Sequence, residues 1–127
     1  MPIQEQQQWK QILLQHEWTE TITVTARDDT VSSLWLNVKE GMSHAFLHNP
    51  TTRYFIVGSV GKLRGCSHFH GLLYNKNRTV RRFNAGFKGC NAPYRTPIVN
   101  LEGWVNYILN QGLQGYQIEN ITNGEEQ

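Results

Sequence analysis

The chain contains two adjacent segments rich in β-branched and aromatic residues, and their spacing constrains the fold more than any other feature. Residues 53–60 (RYFIVGSV) and 67–74 (SHFHGLLY) each have the composition of a strand buried in a sheet. The basic turn between them, residues 61–65, is too short for the crossover that a parallel pair requires. The two segments are therefore predicted to form an antiparallel hairpin.

The segments on either side of this hairpin predict further strands. Residues 21–26 alternate hydroxyl and apolar side chains, the pattern of a half-buried strand. Residues 75–97 are rich in Gly, Asn, Arg and Pro, which predicts mostly loop with one short element. A last short strand is predicted around residues 116–121. The chain is therefore expected to combine several strands with the helices described next.

Three helices are predicted from apolar residues spaced three and four apart. The first is short and lies near Trp9. The second is capped by residues 28–30 and ends before Pro50, because a residue preceding proline disfavours helical geometry. Its apolar stripe consists of Val31, Leu34, Val38, Met42 and Ala45. The third begins at Asn100 as its N-cap and is expected to end at Gly112 in a left-handed conformation.

With 127 residues the chain is expected to form one compact domain spanning residues 1–127. Its polar ends, about residues 1–8 and 123–127, are expected to be loosely held. No apolar run reaches the roughly 18 residues that a membrane span needs, and the Gln-rich start lacks the apolar centre of a signal peptide. The chain is therefore expected to act inside a cell, without a membrane partner.

Acidic residues are absent from residues 41–101, although the whole chain contains ten. The same stretch holds nine basic residues, namely Arg53, Lys62, Arg64, Lys76, Arg78, Arg81, Arg82, Lys88 and Arg95. A stretch of one sign attracts a polyanion, and its binding to a phosphate backbone would weaken as salt is added. A solvated basic face is the alternative interpretation.

Two histidines lie two residues apart in the second strand of the hairpin. Residues two apart in a strand point to the same face of the sheet, so His68 and His70 are predicted to project together. Two imidazoles side by side on a rigid element are a natural pair of metal ligands. Ordinary core or surface histidines would show the same spacing, so the pair alone leaves both interpretations open.

The segment SHFHGLL, residues 67–73, resembles the His-hydrophobic-His motif of the HUH endonucleases. This superfamily includes viral and plasmid replication initiators, relaxases and single-strand transposases. Residues 54–61, YFIVGSVG, are similar to the strand and turn that precede this motif in viral and phage initiators. The resemblance covers roughly residues 21–111. It implies an α+β domain with a central antiparallel sheet of about five strands, the histidine strand near its middle and helices packed on its faces.

The resemblance also implies an activity. His68 and His70 would bind a divalent cation, and Mg²⁺ or Mn²⁺ suit a site completed by oxygen donors. Tyr107, in the helix sequence WVNYILNQ, would attack the DNA and form a 5′-phosphotyrosine bond. The implied function is nicking and rejoining of single-stranded DNA at a replication origin, by the N-terminal part of a viral initiator with a helicase domain downstream. Such a protein would act in the host nucleus if viral and in the cytoplasm otherwise.

The implied DNA partner is a single-stranded nick site together with a duplex or hairpin origin. Basic side chains of the central stretch are the predicted contacts to its phosphates. They are Lys62, Arg64, Lys76, Arg78, Arg81, Arg82, Lys88 and Arg95.

The chain departs from the viral pattern in two places. Ser59 stands where viral initiators place a glutamate ligand, and Asn110 and Gln111 stand where a lysine is common. The sequence Tyr-Ile-Leu-Asn-Gln instead resembles single-tyrosine transposases, in which the glutamine completes the metal site. Gln111 is therefore the predicted third ligand, with Glu102, Asp28 or a water molecule as alternatives. A single-strand transposase and a non-catalytic origin-binding module are the alternative functions.

Overall fold

The computed structural model describes residues 1–25, 31–49, 52–60, 66–75, 83–87 and 90–121, without the side chains of residues 31–34, 59, 60, 66, 67 and 113–116. Its helices are α1 (Ile3–Leu14), α2 (Val31–His48) and α3 (Leu101–Gln111). Its strands are β1 (Glu20–Thr25), β2 (Arg53–Val60), β3 (Cys66–Tyr74), β4 (Tyr94–Pro97) and β5 (Gly112–Asn120). One turn of 3-10 helix, Phe83–Gly86, precedes β4. In these ranges no helix has both the length and the apolar character needed to cross a membrane.

The five strands form one sheet in the order β4-β1-β3-β2-β5, and all neighbouring strands are antiparallel. The predicted hairpin of β2 and β3 is confirmed, with Val57 opposite His70 and Ser59 opposite His68. Because β3 has two strands on each side, the histidines lie on the central strand of the sheet. The predicted α+β fold with helices on a central antiparallel sheet is therefore also confirmed.

The two faces of the sheet bury separate apolar clusters. On one face, Val24 and Phe69 pack with α2 and the 3-10 turn. On the other, Phe55 and Leu72 pack with α1 and α3. Since side chains alternate along a strand, His68 and His70 lie on the same face as Leu72. The histidines therefore point toward the side of the sheet that carries the tyrosine helix.

The apolar stripe predicted for α2 is confirmed as far as its side chains are described. Val38, Met42 and Ala45 are fully buried against the sheet. The side chains of Val31 and Leu34, the predicted cap at residues 28–30 and Pro50 lie outside the described residues.

The polar start of the chain is helical, so the expectation of a loose end over residues 1–8 is wrong. The amino group of Met1 donates to the carbonyl oxygen of Gly112 at 2.8 Å, and the Gln6 side chain donates to the Met1 carbonyl oxygen at 2.7 Å. One turn later, the ring of Trp9 packs on Phe55 with centroids 4.7 Å apart. These contacts hold α1 to the sheet even though its first residues are polar. Residues 123–127 lie outside the described part of the chain.

Helix α3 begins as predicted but ends differently. The side chain of Asn100 accepts a hydrogen bond from the Gly103 amide at 3.0 Å, which confirms the N-cap. Gly112 is not left-handed, because its φ of −61° and ψ of 135° are extended. The chain passes directly from α3 into β5, where Gly112 pairs with Ser59 of β2. The helix therefore stops because sheet pairing takes over the backbone.

Candidate active site on the histidine strand

His68 and His70 lie side by side on the central strand. Their ring centroids are 5.9 Å apart and the ring planes differ by only 16°. Both residues project to the face covered by α3, as the alternation along β3 requires. The predicted juxtaposition of the two imidazoles is therefore present on a rigid element.

Two threonines of β1 contact these imidazoles. Thr23 lies opposite His70 in the antiparallel pairing, and its hydroxyl is 3.0 Å from the His70 Nδ1. Thr25 lies opposite His68, and its hydroxyl is 3.4 Å from the His68 Nδ1. When each hydroxyl accepts from an Nδ1–H, the tautomer of each ring is fixed and Nε2 carries the lone pair. That is the form in which histidine binds a metal ion.

The environment of His70 keeps its ring neutral. Burial, and after it the charge of His68, lowers the pKa of His70 to about 4. At neutral pH the His70 imidazole is therefore unprotonated and retains a lone pair. At that pH the ring can bind a cation without first losing a proton.

Helix α3 brings two aromatic residues onto His70. The Trp104 indole N–H donates to the Gly71 carbonyl oxygen at 2.9 Å, which ties the helix to β3 one residue beyond His70. The Tyr107 ring lies 5.8 Å from the His70 ring, and the Trp104 ring lies 5.7 Å from it. Tyr107 is 47% exposed, so a ligand from solvent can reach the tyrosine that contacts the histidine.

The predicted third ligand lies one helical turn beyond the tyrosine. Gln111 is half-buried at the end of α3, and the next residue, Gly112, pairs with Ser59. Ser59 in turn pairs with His68. Gly112, Ser59 and His68 therefore lie side by side on three neighbouring strands, and Gln111 precedes the first of them. Where viral initiators have a glutamate, this row has only Ser59.

Of the alternative acidic ligands, Glu102 is described, and it is paired elsewhere. Glu102 lies in the first turn of α3 and forms an ion pair of 3.0 Å with Lys10 of α1. Asp28 lies outside the described residues. Within the described ranges, His, Cys, Asp and Glu residues form no group of three or more that could hold a metal ion. The donors that the described residues bring together are the imidazoles of His68 and His70.

Arg95 lies on the other face of the sheet, away from the two histidines. It pairs with Ile22 of β1, and its guanidinium bonds the Glu20 carboxylate at 3.1 Å and lies 4.8 Å from the centre of the Phe83 ring. The other predicted DNA contacts lie outside the described residues: Lys62, Arg64, Lys76, Arg78, Arg81, Arg82 and Lys88.

Three residues of this site had no assigned chemical role in the sequence. The alternation of residues 21–26 places Thr23 and Thr25 on one face, but their pairing with the histidines depends on strand order. Trp104 is one of the apolar residues spaced three and four apart in its helix, and the structure places it both in the apolar cluster and against His70. No signal in the sequence alone identifies these three contacts.

The comparisons with known proteins agree with this architecture and assign no activity. No protein-family model matches the chain, and no curated protein matches it. Among solved structures, the chain is similar to the crystal structure of the hypothetical protein ORF119 from Sulfolobus islandicus rod-shaped virus 1, with a TM-score of 0.53 and 14% sequence identity. The similarity covers 84% of this chain and 93% of that chain. At this identity it shows a shared fold alone.

Proposed function

We propose that this chain is a metal-dependent tyrosine endonuclease of the HUH type, which nicks and rejoins single-stranded DNA. The observation that carries the proposal is the contact of the Tyr107 ring with His70, whose neighbour on the same face is His68. A nucleophile and a pair of ligands then converge on one place from two rigid elements. Such placement is what catalysis by proximity requires.

The proposed step exchanges one phosphodiester for another. The phenolic oxygen of Tyr107 attacks the scissile phosphorus and forms a new P–O bond, while the bond from phosphorus to the 3′ oxygen breaks. The phenol loses its proton to solvent, and the departing 3′ oxygen takes one up. The products are a 5′-phosphotyrosine and a free 3′ hydroxyl, and the reverse attack by that hydroxyl rejoins the strand.

The remaining residues of the site position these groups. His68 and His70 would hold a divalent cation through Nε2, with the Gln111 amide oxygen as third ligand and water as the alternative. The bound cation would supply a positive charge that polarises the scissile phosphate. Trp104 fixes α3 to β3 and so fixes the distance from Tyr107 to His70. The donor set fits Mn²⁺ better than Mg²⁺, because imidazole favours the softer cation.

The biological role proposed is initiation of replication at a hairpin or duplex origin of a small viral genome. Support comes from the resemblance of the hairpin sequence, residues 54–61 and 67–73, to viral initiators, and the similar solved structure is that of a viral protein. The chain would be the origin-binding and nicking part of a longer initiator with a helicase domain downstream. It would act where the genome is replicated in the host cell, which is the nucleus where the host has one.

A single-strand transposase is the second candidate activity. The match of residues 107–111 to the Tyr-Ile-x-Asn-Gln pattern favours it, and Gln111 would have the same ligand role. A third candidate is a DNA-binding module without catalysis, which the serine at position 59 favours because the usual carboxylate is missing.

A hairpin oligonucleotide carrying a single-stranded loop, incubated with Mn²⁺, tests the activity. We expect a covalent protein–DNA adduct that Tyr107→Phe abolishes, because the variant keeps the ring and loses the nucleophilic oxygen. Tyr94→Phe is the matched control: Tyr94 is 67% exposed, and its pairing with Thr23 places it on the same face. DNA that is bound but never linked to the protein would reject both enzymes and leave the binding module. Strand transfer to a second DNA end, in preference to rejoining, would select the transposase.

A further inference from the structure

A cavity of about 330 Å³ lies beside the candidate active site. It is lined by the end of β4, the segment that leads into α3, one residue of β1 and Trp104. The lining residues that matter for its chemistry are Thr21, Thr96, Pro97, Ile98, Val99 and Trp104. Its volume falls within the range of small-molecule sites, about 300–1,000 Å³.

The cavity and the histidines share a wall. Trp104 lines the cavity, and its ring also contacts His70. Thr21 lines the cavity as well, two residues before the Thr23 that contacts His70, so both threonines lie on one face of β1. A group bound in the cavity would therefore contact the same indole that contacts His70 and Tyr107.

The lining combines apolar walls with one polar edge. Pro97, Ile98 and Val99 provide aliphatic surface, and the Trp104 indole provides an aromatic one. At the sheet, the hydroxyl oxygens of Thr21 and Thr96 are 2.6 Å apart. One of these hydroxyls donates to the other, so the pair still offers one O–H donor and several lone pairs.

Its place beside Trp104 distinguishes this cavity from its neighbour. None of the described residues that line it is acidic. A second cavity, of about 370 Å³, shares Thr96, Pro97 and Ile98 with it and is also lined by Glu17 and by the ion pair of Glu20 with Arg95. Of the two, the first is the one whose lining includes Trp104, which contacts His70.

We propose that this cavity binds one nucleobase of the DNA strand whose phosphate Tyr107 attacks. The inference rests on the proposed function, because the strand at the histidines supplies the base. A nucleobase has apolar faces and a polar edge, which matches aliphatic and aromatic walls with two hydroxyls at one side. The bound base fixes the register of the strand, so the cavity would select which phosphate faces Tyr107.

Binding of single-stranded DNA in EDTA tests the cavity without any catalysis. A fluorescein-labelled single strand is compared, by fluorescence anisotropy, with a strand of equal length in which every nucleotide is abasic. Ile98→Ala removes part of the apolar wall, and Thr96→Val removes one hydroxyl while keeping the shape of the side chain. Leu47→Ala is the control, since Leu47 is 78% exposed on α2, the helix on the opposite face.

We expect Ile98→Ala to weaken binding of the normal strand by about fivefold or more, because it removes apolar surface that would cover the face of the base. Thr96→Val should weaken it by a smaller factor. Neither of these two variants should change binding of the abasic strand. The control Leu47→Ala should leave binding of both strands unchanged. Equal loss on both strands, or no loss on the normal strand, would overturn the proposal and leave the cavity to a protein side chain. If Ile98→Ala is unfolded at the temperature of the assay, the comparison of normal and abasic strands is made with Thr96→Val.

The two proposals fail separately in this design. A base-dependent loss in EDTA together with no Tyr107 adduct in Mn²⁺ would reject the nuclease and retain the base site. An adduct without any base-dependent loss would reject the base site alone.

Discussion

Thr23 and Thr25 each contact the Nδ1 atom of one imidazole, which leaves Nε2 of both rings for a cation. Their hydroxyls lie 3.0 and 3.4 Å from the two Nδ1 atoms. Partners of this kind typically contribute about 10- to 100-fold to metal affinity. We therefore expect Thr23→Val to weaken Mn²⁺ binding by about tenfold, and Thr25→Val by less because its contact is longer. Titration of Mn²⁺ followed by electron paramagnetic resonance measures this without DNA.

Thr21→Val is the matched control for both substitutions. Thr21 lies on the same strand and face as Thr23 and Thr25, but its hydroxyl forms its hydrogen bond with the hydroxyl of Thr96. Mn²⁺ affinity should therefore remain that of the wild type. Equal losses in all three variants would mean that the substitutions disturb β1 as a whole and that the ring contacts are not specific.

The pKa of His70 gives stability a definite dependence on pH. In the unfolded chain an imidazole takes up its proton as the pH falls through about 6.5. In the folded protein, burial of the ring and the charge of His68 lower the pKa of His70 to about 4, so the proton is taken up only near that pH. Between these values the unfolded state binds more protons, so stability falls as the pH is lowered. Above about pH 6.5 both states are neutral and the penalty is absent.

Replacement of His70 removes this contribution. Allowing for the partial exposure of the ring, we expect the wild type to lose about 1–2 kcal/mol more than His70→Gln between pH 7 and pH 4.5. Urea unfolding at the two pH values gives the difference. If the variant and the wild type lose stability in parallel, His70 does not carry the penalty.

At the scale of secondary-structure elements, α3 sets the position of the nucleophile, and one hydrogen bond ties it to the histidine strand. Trp104→Phe keeps an aromatic ring near His70 but removes the N–H that binds the Gly71 carbonyl oxygen. We expect the rate of adduct formation to fall by about tenfold or more, because small displacements of a nucleophile are costly. Mn²⁺ affinity should change far less. A parallel fall in affinity would show that Trp104 acts on His70 itself.

The elements with strong periodicity could be predicted from the sequence, whereas those set by tertiary pairing could not. The hairpin of β2 and β3 followed from two apolar segments and a short turn. Strand β4 has only four residues and pairs with β1, so within residues 75–97, where the sequence predicts mostly loop with one short element, no local pattern marks its position. Gly112 had the residue type of a left-handed helix end, but pairing with Ser59 makes it extended.

The same division applies to the candidate site. His68 and His70 share a face because both belong to one strand, which alternation alone predicts. The contact of Tyr107 with His70 joins two elements, and only the resemblance to a nuclease motif indicated it. The contacts of Thr23 and Thr25 depend on β1 being the neighbour of β3, which strand patterns do not specify. The residue pairs that join separate elements thus required the structure.

On the scale of the whole molecule, the basic central stretch is expected to bind DNA with only some of its charges. Arg95 is already paired with Glu20, and the Arg53 guanidinium lies 4.9 Å from the centre of the Tyr74 ring and donates to the Glu17 carbonyl oxygen. Each phosphate that the protein neutralises releases counterions, so the logarithm of the binding constant falls linearly with the logarithm of the salt concentration. For single-stranded DNA the slope is about −0.7 per phosphate contact. An arginine already paired with a carboxylate should contribute little to that slope.

We therefore expect Arg64→Ala to make the slope shallower by about 0.7 and Arg95→Ala to leave it nearly unchanged. Both substitutions remove one positive charge, so they are matched in net charge, and of the two arginines Arg95 is the one whose ion pair, with Glu20, the described residues show. Anisotropy titrations of a labelled single strand at several salt concentrations, in EDTA, give the two slopes. A slope change for Arg95→Ala as large as that for Arg64→Ala would show that DNA displaces the ion pair and contacts the face opposite the histidines.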